Sequence, residues 1–236
     1  QVMTVQELTR LAGLVFVAVS LIVLGDTCGK LLAQQGVEPS LIAFSRFMIG
    51  ALVILPISGL KFSEIPAMLN WRIILRGALI AGGILSILTA LKTEPIANVF
   101  GAFFIGPIIS YCLAIFLLGE RPTKGRSLLL ALGFLGVMMV VKPGFNMTPG
   151  MGFALLAGTF YGCFLVVTRL VAHEVRPRLL LLSQLVVGSV LLAPLGLSLP
   201  LPDAGFQLGG LILGSALGSA AGNYLLVVAS RRAEAS

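Results

Sequence analysis

Long apolar runs are the feature of this sequence that most restricts its fold. Hydrophobic residues make up 58% of the 236 residues and charged residues only 11%, far below the share in a soluble domain. A helix needs about 20 apolar residues to cross a bilayer. Eight runs reach or approach that length: 11–32, 40–60, 71–91, 96–118, 127–141, 150–172, 179–199 and 208–229. They lack the alternation of barrel strands, so we predict an all-α membrane protein with eight transmembrane helices.

The basic residues predict the orientation of these helices. Cytoplasmic loops of membrane proteins carry an excess of Lys and Arg. With the N-terminus inside, twelve of the sixteen basic residues fall on the inner side, and Arg46 lies within a span. Only Lys30, Lys92 and Lys142 fall outside. We therefore expect a cytoplasmic N-terminus, in the cytoplasmic (inner) membrane of a bacterium.

The sequence matches itself at an offset of 138 residues without a gap. The offset aligns Pro39 with Pro177, Ser45 with Ser183, Gly50 with Gly188, and Pro56 with Pro194. Five helices, an odd number, separate the starts of the two copies, so the second copy enters the membrane in the opposite orientation. Inverted repeats are typical of secondary transporters, which bind substrate near the midplane between the halves. We predict a first repeat over residues 1–145 and a second over 146–236.

The second repeat is expected to be incomplete. The fourth and fifth helices of the first repeat lie within residues 98–142. The offset places their counterparts at 236–280, and the sequence stops at Ser236. Two further helices are therefore expected in a complete protein of this pattern.

Three segments carry a resemblance to a known family. They are LIVLGDTCGKLLAQQGVEPSLIAFSRFMIGALVILP, ALKTEPIANVFGAFFIGPIISYCLAIFLLGERPT and ALGFLGVMMVVKP. Together they resemble the EamA type of the drug/metabolite transporter superfamily. The resemblance implies ten helices in two inverted five-helix repeats around a central cavity. It also implies alternating access, with small metabolites such as amino acids as substrates.

Two charged residues inside the predicted spans are the first candidates for function, because a charge in hydrocarbon is costly. Asp26 and Arg46 both lie about 9 Å below the outer surface at 1.5 Å of rise per residue, which favours an ion pair. Lys30, one turn from Asp26, is a competing partner. The offset aligns Asp26 with Phe164 and Arg46 with Gln184, so the charges occur in one repeat only. A structural clamp and a role in substrate or proton handling both stay open.

Further polar groups at membrane depth are candidates for binding substrate or for gating. They are Asn98, Tyr111, Tyr161, Gln184, Asn223 and Tyr224. Pro107 predicts a break in the fourth helix, because proline removes a backbone hydrogen bond. Glycines recur every four residues at 210, 214, 218 and 222. This spacing indicates close helix packing, with a dimer face or a hinge as alternatives.

No motif indicates catalysis, a metal site or a cofactor. The sequence lacks His-Glu-x-x-His, a Walker loop and Gly-x-Ser-x-Gly, and its basic residues form no stripe for nucleic acid. We predict a secondary transporter rather than an enzyme, with a channel or a non-transporting scaffold as the alternative. The expected partners are a small-molecule substrate and membrane lipid. Coupling to protons or another ion, and a homodimer, stay open.

Overall fold

Helices account for all regular structure in the residues that can be described. The computed structural model describes residues 4–142, 144, 147–200, 203 and 205–234, with side chains up to residue 229. The helices are α1 (Val5–Gln34), α2 (Pro39–Ser58), α3 (Ile65–Met68), α4 (Trp71–Thr93), α5 (Ile96–Phe103), α6 (Ile105–Leu118), α7 (Lys124–Val141), α8 (Pro149–Val171), α9 (Pro177–Leu197) and α10 (Phe206–Glu234). Within these residues, eight spans are long and apolar enough to cross a membrane, with α5 and α6 together forming one. The predicted all-α membrane fold with eight spans is confirmed.

A polar cap extends α1 beyond its apolar run. α1 begins at Val5, because the Thr4 hydroxyl accepts a hydrogen bond from the Glu7 N–H. The Glu7 carboxylate in turn accepts a bond of 2.9 Å from the Thr4 N–H, which completes a capping box. α7 also begins before its predicted run, at Lys124, although no described side chain caps it. Hydrophobicity therefore locates the spans but not the residues at which the helices begin.

The fourth span is broken near its middle, as predicted from Pro107. α5 ends at Phe103 and α6 begins at Ile105. Pro107 has no N–H to donate to the Phe103 carbonyl four residues earlier. A Cβ added at Gly158 would lie 2.7 Å from that carbonyl oxygen, so α8 approaches the break closely only because Gly158 has no side chain.

The connection between α2 and α4 contains short helical segments. A 3₁₀ helix, Phe62–Glu64, and the single turn of α3 lie between the predicted spans 40–60 and 71–91. Large apolar side chains here are exposed: Phe62 by 91% and Trp71 by 67%. Such residues suit the boundary between lipid and water. We refer to this end of the bundle as the Trp71 end and to the opposite end, where α2 begins, as the Pro39 end.

The helix contacts come in matching pairs. α1 packs on α10 as α4 packs on α8, α2 packs on α10 as α4 packs on α9, and α2 crosses α9. Exchanging α1 with α8, α2 with α9 and α4 with α10 leaves this set unchanged. A Cβ added at Gly50 would meet Leu185 at 3.1 Å, and one at Gly188 would meet Phe47 at 2.5 Å. The offset of 138 residues converts each of these contacts into the other.

The glycine row of α10 packs mainly inside the chain. A Cβ at Gly218 would lie 2.9 Å from the Leu21 carbonyl oxygen, and one at Gly222 would lie 2.6 Å from that of Ala18. Gly214 faces Cys28, whereas an added Cβ at Gly210 would meet no described atom within 4 Å. Two of the four predicted glycines, Gly218 and Gly222, thus bring the backbones of α1 and α10 together, and Gly214 makes room for the Cys28 side chain.

Candidate functional site

Asp26 and Arg46 form a buried ion pair, as their matched depth predicted. Arg46 Nη1 donates to Asp26 Oδ1 at 2.7 Å, and the two side chains are 3% (Arg46) and 5% (Asp26) exposed. The pair joins α1 to α2. Charge-assisted bonds of this length are about twice as strong as neutral ones.

Arg46 also binds α10. Its Nη2 donates to the Gly25 carbonyl at 3.0 Å, and Nε and Nη2 both donate to Ser215 Oγ, at 3.2 and 2.9 Å. A Cβ added at Gly29 would lie 3.1 Å from Arg46 Nη2. Gly29 therefore makes room for a guanidinium whose three nitrogens all have partners.

Lys30 is not a partner of Asp26, so the competing pairing is wrong. Its Nζ donates to the carbonyl of Leu91 at 2.9 Å and to that of Glu94 at 2.6 Å. These groups lie at the C-terminal end of α4, where carbonyls lack helical donors. The ammonium caps α4 and leaves Asp26 to Arg46.

A cavity of about 150 Å³ lies beside the ion pair. Seven helices line it, and its walls are mostly apolar, with Phe47, Ile80 and Phe103 among them. Five of the predicted candidates line it: Asp26, Arg46, Tyr161, Gln184 and Asn223. Apolar walls with a few convergent polar groups are typical of small-molecule sites.

Two of these candidates present unpaired polar groups. Gln184 is 5% exposed, and its amide forms no hydrogen bond with any other described residue. The Tyr161 hydroxyl likewise has no partner in the described part of the chain, whereas Asn223 Nδ2 donates to the Ser219 carbonyl at 2.8 Å. Gln184 and Tyr161 can therefore hydrogen-bond a ligand without breaking an existing bond.

Three predicted candidates do not line this cavity. Asn98 is exposed at the start of α5. The Tyr111 hydroxyl lies 2.8 Å from Ser127 Oγ, and its ring faces Arg126. Tyr224 faces Arg178, with 5.6 Å between the guanidinium carbon and the ring centre. A role of these three residues in substrate binding or gating stays a prediction.

One of the twelve basic residues that the sequence analysis counts on the inner side is buried within a helix. This residue, Arg76, lies inside α4 and is 6% exposed. Its Nε donates to Thr168 Oγ1 at 2.8 Å and its Nη1 to the Leu180 carbonyl at 2.9 Å. Its position five residues inside an apolar run was the signal for burial.

Four ion pairs lie at the Trp71 end in the described part of the chain, and three of them join a residue before 145 to one after it. These three are Arg176 with Glu64, Arg72 with Glu174, and Arg169 with Glu120, whereas Arg126 with Glu120 lies within the first 145 residues. Hydrogen bonds from the Arg176 side chain, and then from the Lys61 backbone, lower the pKa of Glu64 below its usual 4.5. Exposed pairs of this kind contribute little to stability.

Eight apolar spans and an internal cavity with unpaired polar groups define a polytopic membrane protein. The model of the EamA-like transporter family matches residues 10–142, more than half of the chain. The chain belongs to this family of membrane transporters, as the sequence resemblance indicated.

A solved structure supports the fold. A chain described only as "Crystal structure of protein" superposes with a TM-score of 0.62 at 18% sequence identity. The match covers 93% of this chain and 80% of that one. No curated protein sequence matches the chain. Identity this low shows a shared fold and nothing about the substrate.

Proposed function

We propose that this transporter moves a small polar metabolite, such as an amino acid or a related compound, through the cavity beside Asp26 and Arg46. The observation that carries the proposal is the unpaired Gln184 amide in the cavity wall. A ligand that fills the cavity without hydrogen-bonding this amide would leave a buried polar group unpaired, at a cost of roughly 1–3 kcal/mol. The amide therefore favours a substrate that has a polar group to bond to it.

The cavity also limits the substrate by size and charge. An apolar cavity of about 150 Å³ holds a benzene-sized molecule. Asp26 Oδ1 accepts from Arg46, and Oδ2 has no donor among the described side chains. This oxygen suits an ammonium group, while the Gln184 amide and the Tyr161 hydroxyl suit a carboxylate or another polar group. The arrangement favours a compact zwitterion over a large apolar drug.

The proposed architecture is a pair of inverted repeats over residues 1–145 and 146–236. The gap-free offset, the exchangeable helix contacts and the end of the family match at residue 142 support it. We place the Trp71 end in the cytoplasm of a bacterial cell because basic residues concentrate there. Alternating access then requires the three ion pairs that join the two repeats at this end to open when the cavity faces the cytoplasm.

Transport in proteoliposomes tests the proposal. The full-length protein is reconstituted, and uptake of a labelled panel of amino acids and related metabolites is measured with and without a pH gradient. We expect one compact polar substrate to be transported and Gln184→Ala to lower its uptake at least tenfold. Gln34→Ala, the same change at an exposed position on α1, is the matched control. Equal uptake by the Gln184 variant and the control would contradict the assigned cavity.

A further inference from the structure

Arg76 is a buried guanidinium without an acidic partner. No described carboxylate lies within salt-bridge distance of it. Its two hydrogen bonds go to neutral acceptors, Thr168 Oγ1 and the Leu180 carbonyl. Burying a charge is costly unless it is paired and hydrogen-bonded, so this residue retains the capacity to bind an anion.

The free donors of Arg76 have the geometry for an oxyanion. A guanidinium carries five N–H groups in a planar fork, and the two hydrogen bonds to Thr168 and Leu180 use only Nε and Nη1. Nη2 has no hydrogen-bond partner in the described ranges. The remaining Nη1 and Nη2 donors lie side by side and match the two oxygens of a carboxylate or phosphate.

An aromatic row connects Arg76 to the cavity. Phe103 and Tyr161, both in the cavity wall, have ring centres 5.0 Å apart. Tyr161 stacks on Phe164 with centres 5.8 Å apart, and the Arg76 guanidinium lies 4.5 Å from the centre of the Phe164 ring. Ile80, one turn along α4 from Arg76, also lines the cavity. Phe164 thus lies between the cavity wall and the guanidinium.

Arg76 lies nearer the Trp71 end than Arg46 does. Arg46 is twelve residues from the end of α2 at Ser58, and Arg76 is five residues from the start of α4 at Trp71. The difference in depth is about 10 Å at 1.5 Å per residue. A substrate leaving the cavity toward the Trp71 end therefore reaches Arg76 after Phe164.

We propose that Arg76 is a second recognition site, which binds the carboxylate or phosphate group of the substrate on the path between the cavity and the Trp71 end. The Phe164 ring covers this site and moves aside when the path opens. The inference rests on the proposed transport function and deepens it, since it predicts that the substrate carries an oxyanion.

Chemical protection of Arg76 tests the site in the wild-type protein. The full-length protein in phosphatidylcholine nanodiscs is treated with phenylglyoxal, and modification of each arginine is followed by peptide mass spectrometry. We expect acetate or inorganic phosphate to slow modification of Arg76 at least threefold relative to chloride at equal ionic strength. Arg72, exposed one turn earlier on α4, is the internal control and is not protected. Equal rates at Arg76 with and without the oxyanions would overturn the proposal.

Two variants separate recognition from packing. Phe164→Ala is expected to speed modification of Arg76 while the oxyanions still protect it. Arg76→Gln is expected to lose the rise in unfolding temperature that these anions give the wild type, whereas Arg72→Gln keeps it. If Arg76→Gln does not fold, the protection of Arg76 from phenylglyoxal in the wild-type protein still tests the proposal. An unchanged anion effect in a folded Arg76→Gln protein would overturn the proposal.

Further outcomes identify the source of the oxyanion and separate a failure of the second site from a failure of the proposed function. Protection by phosphatidylglycerol nanodiscs without added anion would assign the site to a lipid headgroup and overturn a role in substrate recognition. Protection by acetate or phosphate together with uptake of a carboxylate or phosphate substrate would support the full proposal. Transport without protection at Arg76 would contradict the second site only, whereas protection without transport of any substrate would contradict the proposed function.

Discussion

Arg46 and Arg76 occupy two similar helix crossings, yet among the described residues only Arg46 has a carboxylate partner for its charge. Each donates to a hydroxyl and to a backbone carbonyl. Arg46 adds Asp26 at 2.7 Å, whereas Arg76 faces the ring of Phe164. The repeat offset aligns Asp26 with Phe164. At equivalent positions, one half of the protein provides a carboxylate and the other an aromatic ring.

The difference separates two roles that one scaffold can support. A neutralised pair with every guanidinium nitrogen bonded fixes α1, α2 and α10 together. A cation opposite a ring keeps its attraction for an anion, because a cation–π contact is weaker than a buried ion pair and leaves the donors free. Substitutions around Arg46 are therefore expected to lower stability strongly. Substitutions around Arg76 are expected to change ligand binding more than stability.

Breaking the ion pair should have the largest effect. Asp26→Asn or Arg46→Gln leaves one buried charge uncompensated, at a cost of about 3–5 kcal/mol in the free energy of unfolding. The double variant should recover most of that stability, because no charge remains. Thermal unfolding in nanodiscs measures the stability, and proteoliposome uptake measures transport.

Transport by the double variant decides the role of the pair. Recovered stability without uptake would assign Asp26 and Arg46 to substrate handling, whereas recovery of both would make the pair a clamp. Lys92→Gln, which breaks an exposed ion pair with Glu38, is the control and should cost about 1 kcal/mol or less. Wild-type stability and uptake in either Asp26→Asn or Arg46→Gln would show that neither folding nor transport depends on the ion pair.

Crowding the guanidinium should have the next largest effect. In Gly29→Ala the new Cβ would lie 2.8 Å from Leu88 and 3.1 Å from Arg46 Nη2. Overpacking of this kind costs about 1–3 kcal/mol, and we expect the loss in thermal unfolding. Gly136→Ala on α7, where an added Cβ would meet no described atom within 4 Å, should show no such loss. Equal stability of the two variants would mean that the space around Arg46 is not tight.

Neutralising Arg76 should change stability less than neutralising Arg46. Arg76→Gln loses two hydrogen bonds but also removes a buried charge that lacks a carboxylate, and these effects offset each other. We expect a change of about 1 kcal/mol or less in the absence of oxyanions, measured beside Arg46→Gln. Equal losses in the two variants would remove the distinction between the regions.

The ion pair between Glu64 and Arg176 should give the smallest effect. The pKa of Glu64 is lowered in the folded protein, so the pair contributes stability above the unfolded pKa near 4.5, and this is lost as pH falls through the folded pKa. Glu64→Gln should show a slightly smaller fall in unfolding temperature between pH 7 and pH 4, and salt should reduce the difference. In an Arg176→Gln background the substitution should make no further difference. A larger acid sensitivity in Glu64→Gln would contradict the assigned sign.

Sequence reasoning succeeded where the position of a residue along its helix is the only information needed. The eight spans follow from run length, and the Asp26–Arg46 pair follows from depth on adjacent antiparallel helices. The break before Pro107 follows from a missing N–H. Each inference needs only the position along a helix, which the sequence gives directly.

Sequence reasoning is weaker where the side of the helix on which a residue lies matters. Asn98, Tyr111 and Tyr224 have polar groups in predicted spans but do not line the cavity. Lys30 has the spacing for a pair with Asp26, but the end of α4 lies within its reach. The burial of Arg76 depends on α8 and α9 packing over it. Which neighbours cover a helix is a property of the assembled bundle.

The contact between α1 and α10 has a consequence for engineering. At Gly25, Gly218 and Gly222 the two backbones touch without side chains between them. A mutant library that admits larger residues at these positions would consist mostly of misfolded members. Gln184 and Tyr161, in contrast, border the cavity, so under the proposed function substitutions there would change specificity at small structural cost. A library made to select for altered substrates should therefore randomise the residues of the cavity wall and keep Gly25, Gly218 and Gly222 unchanged.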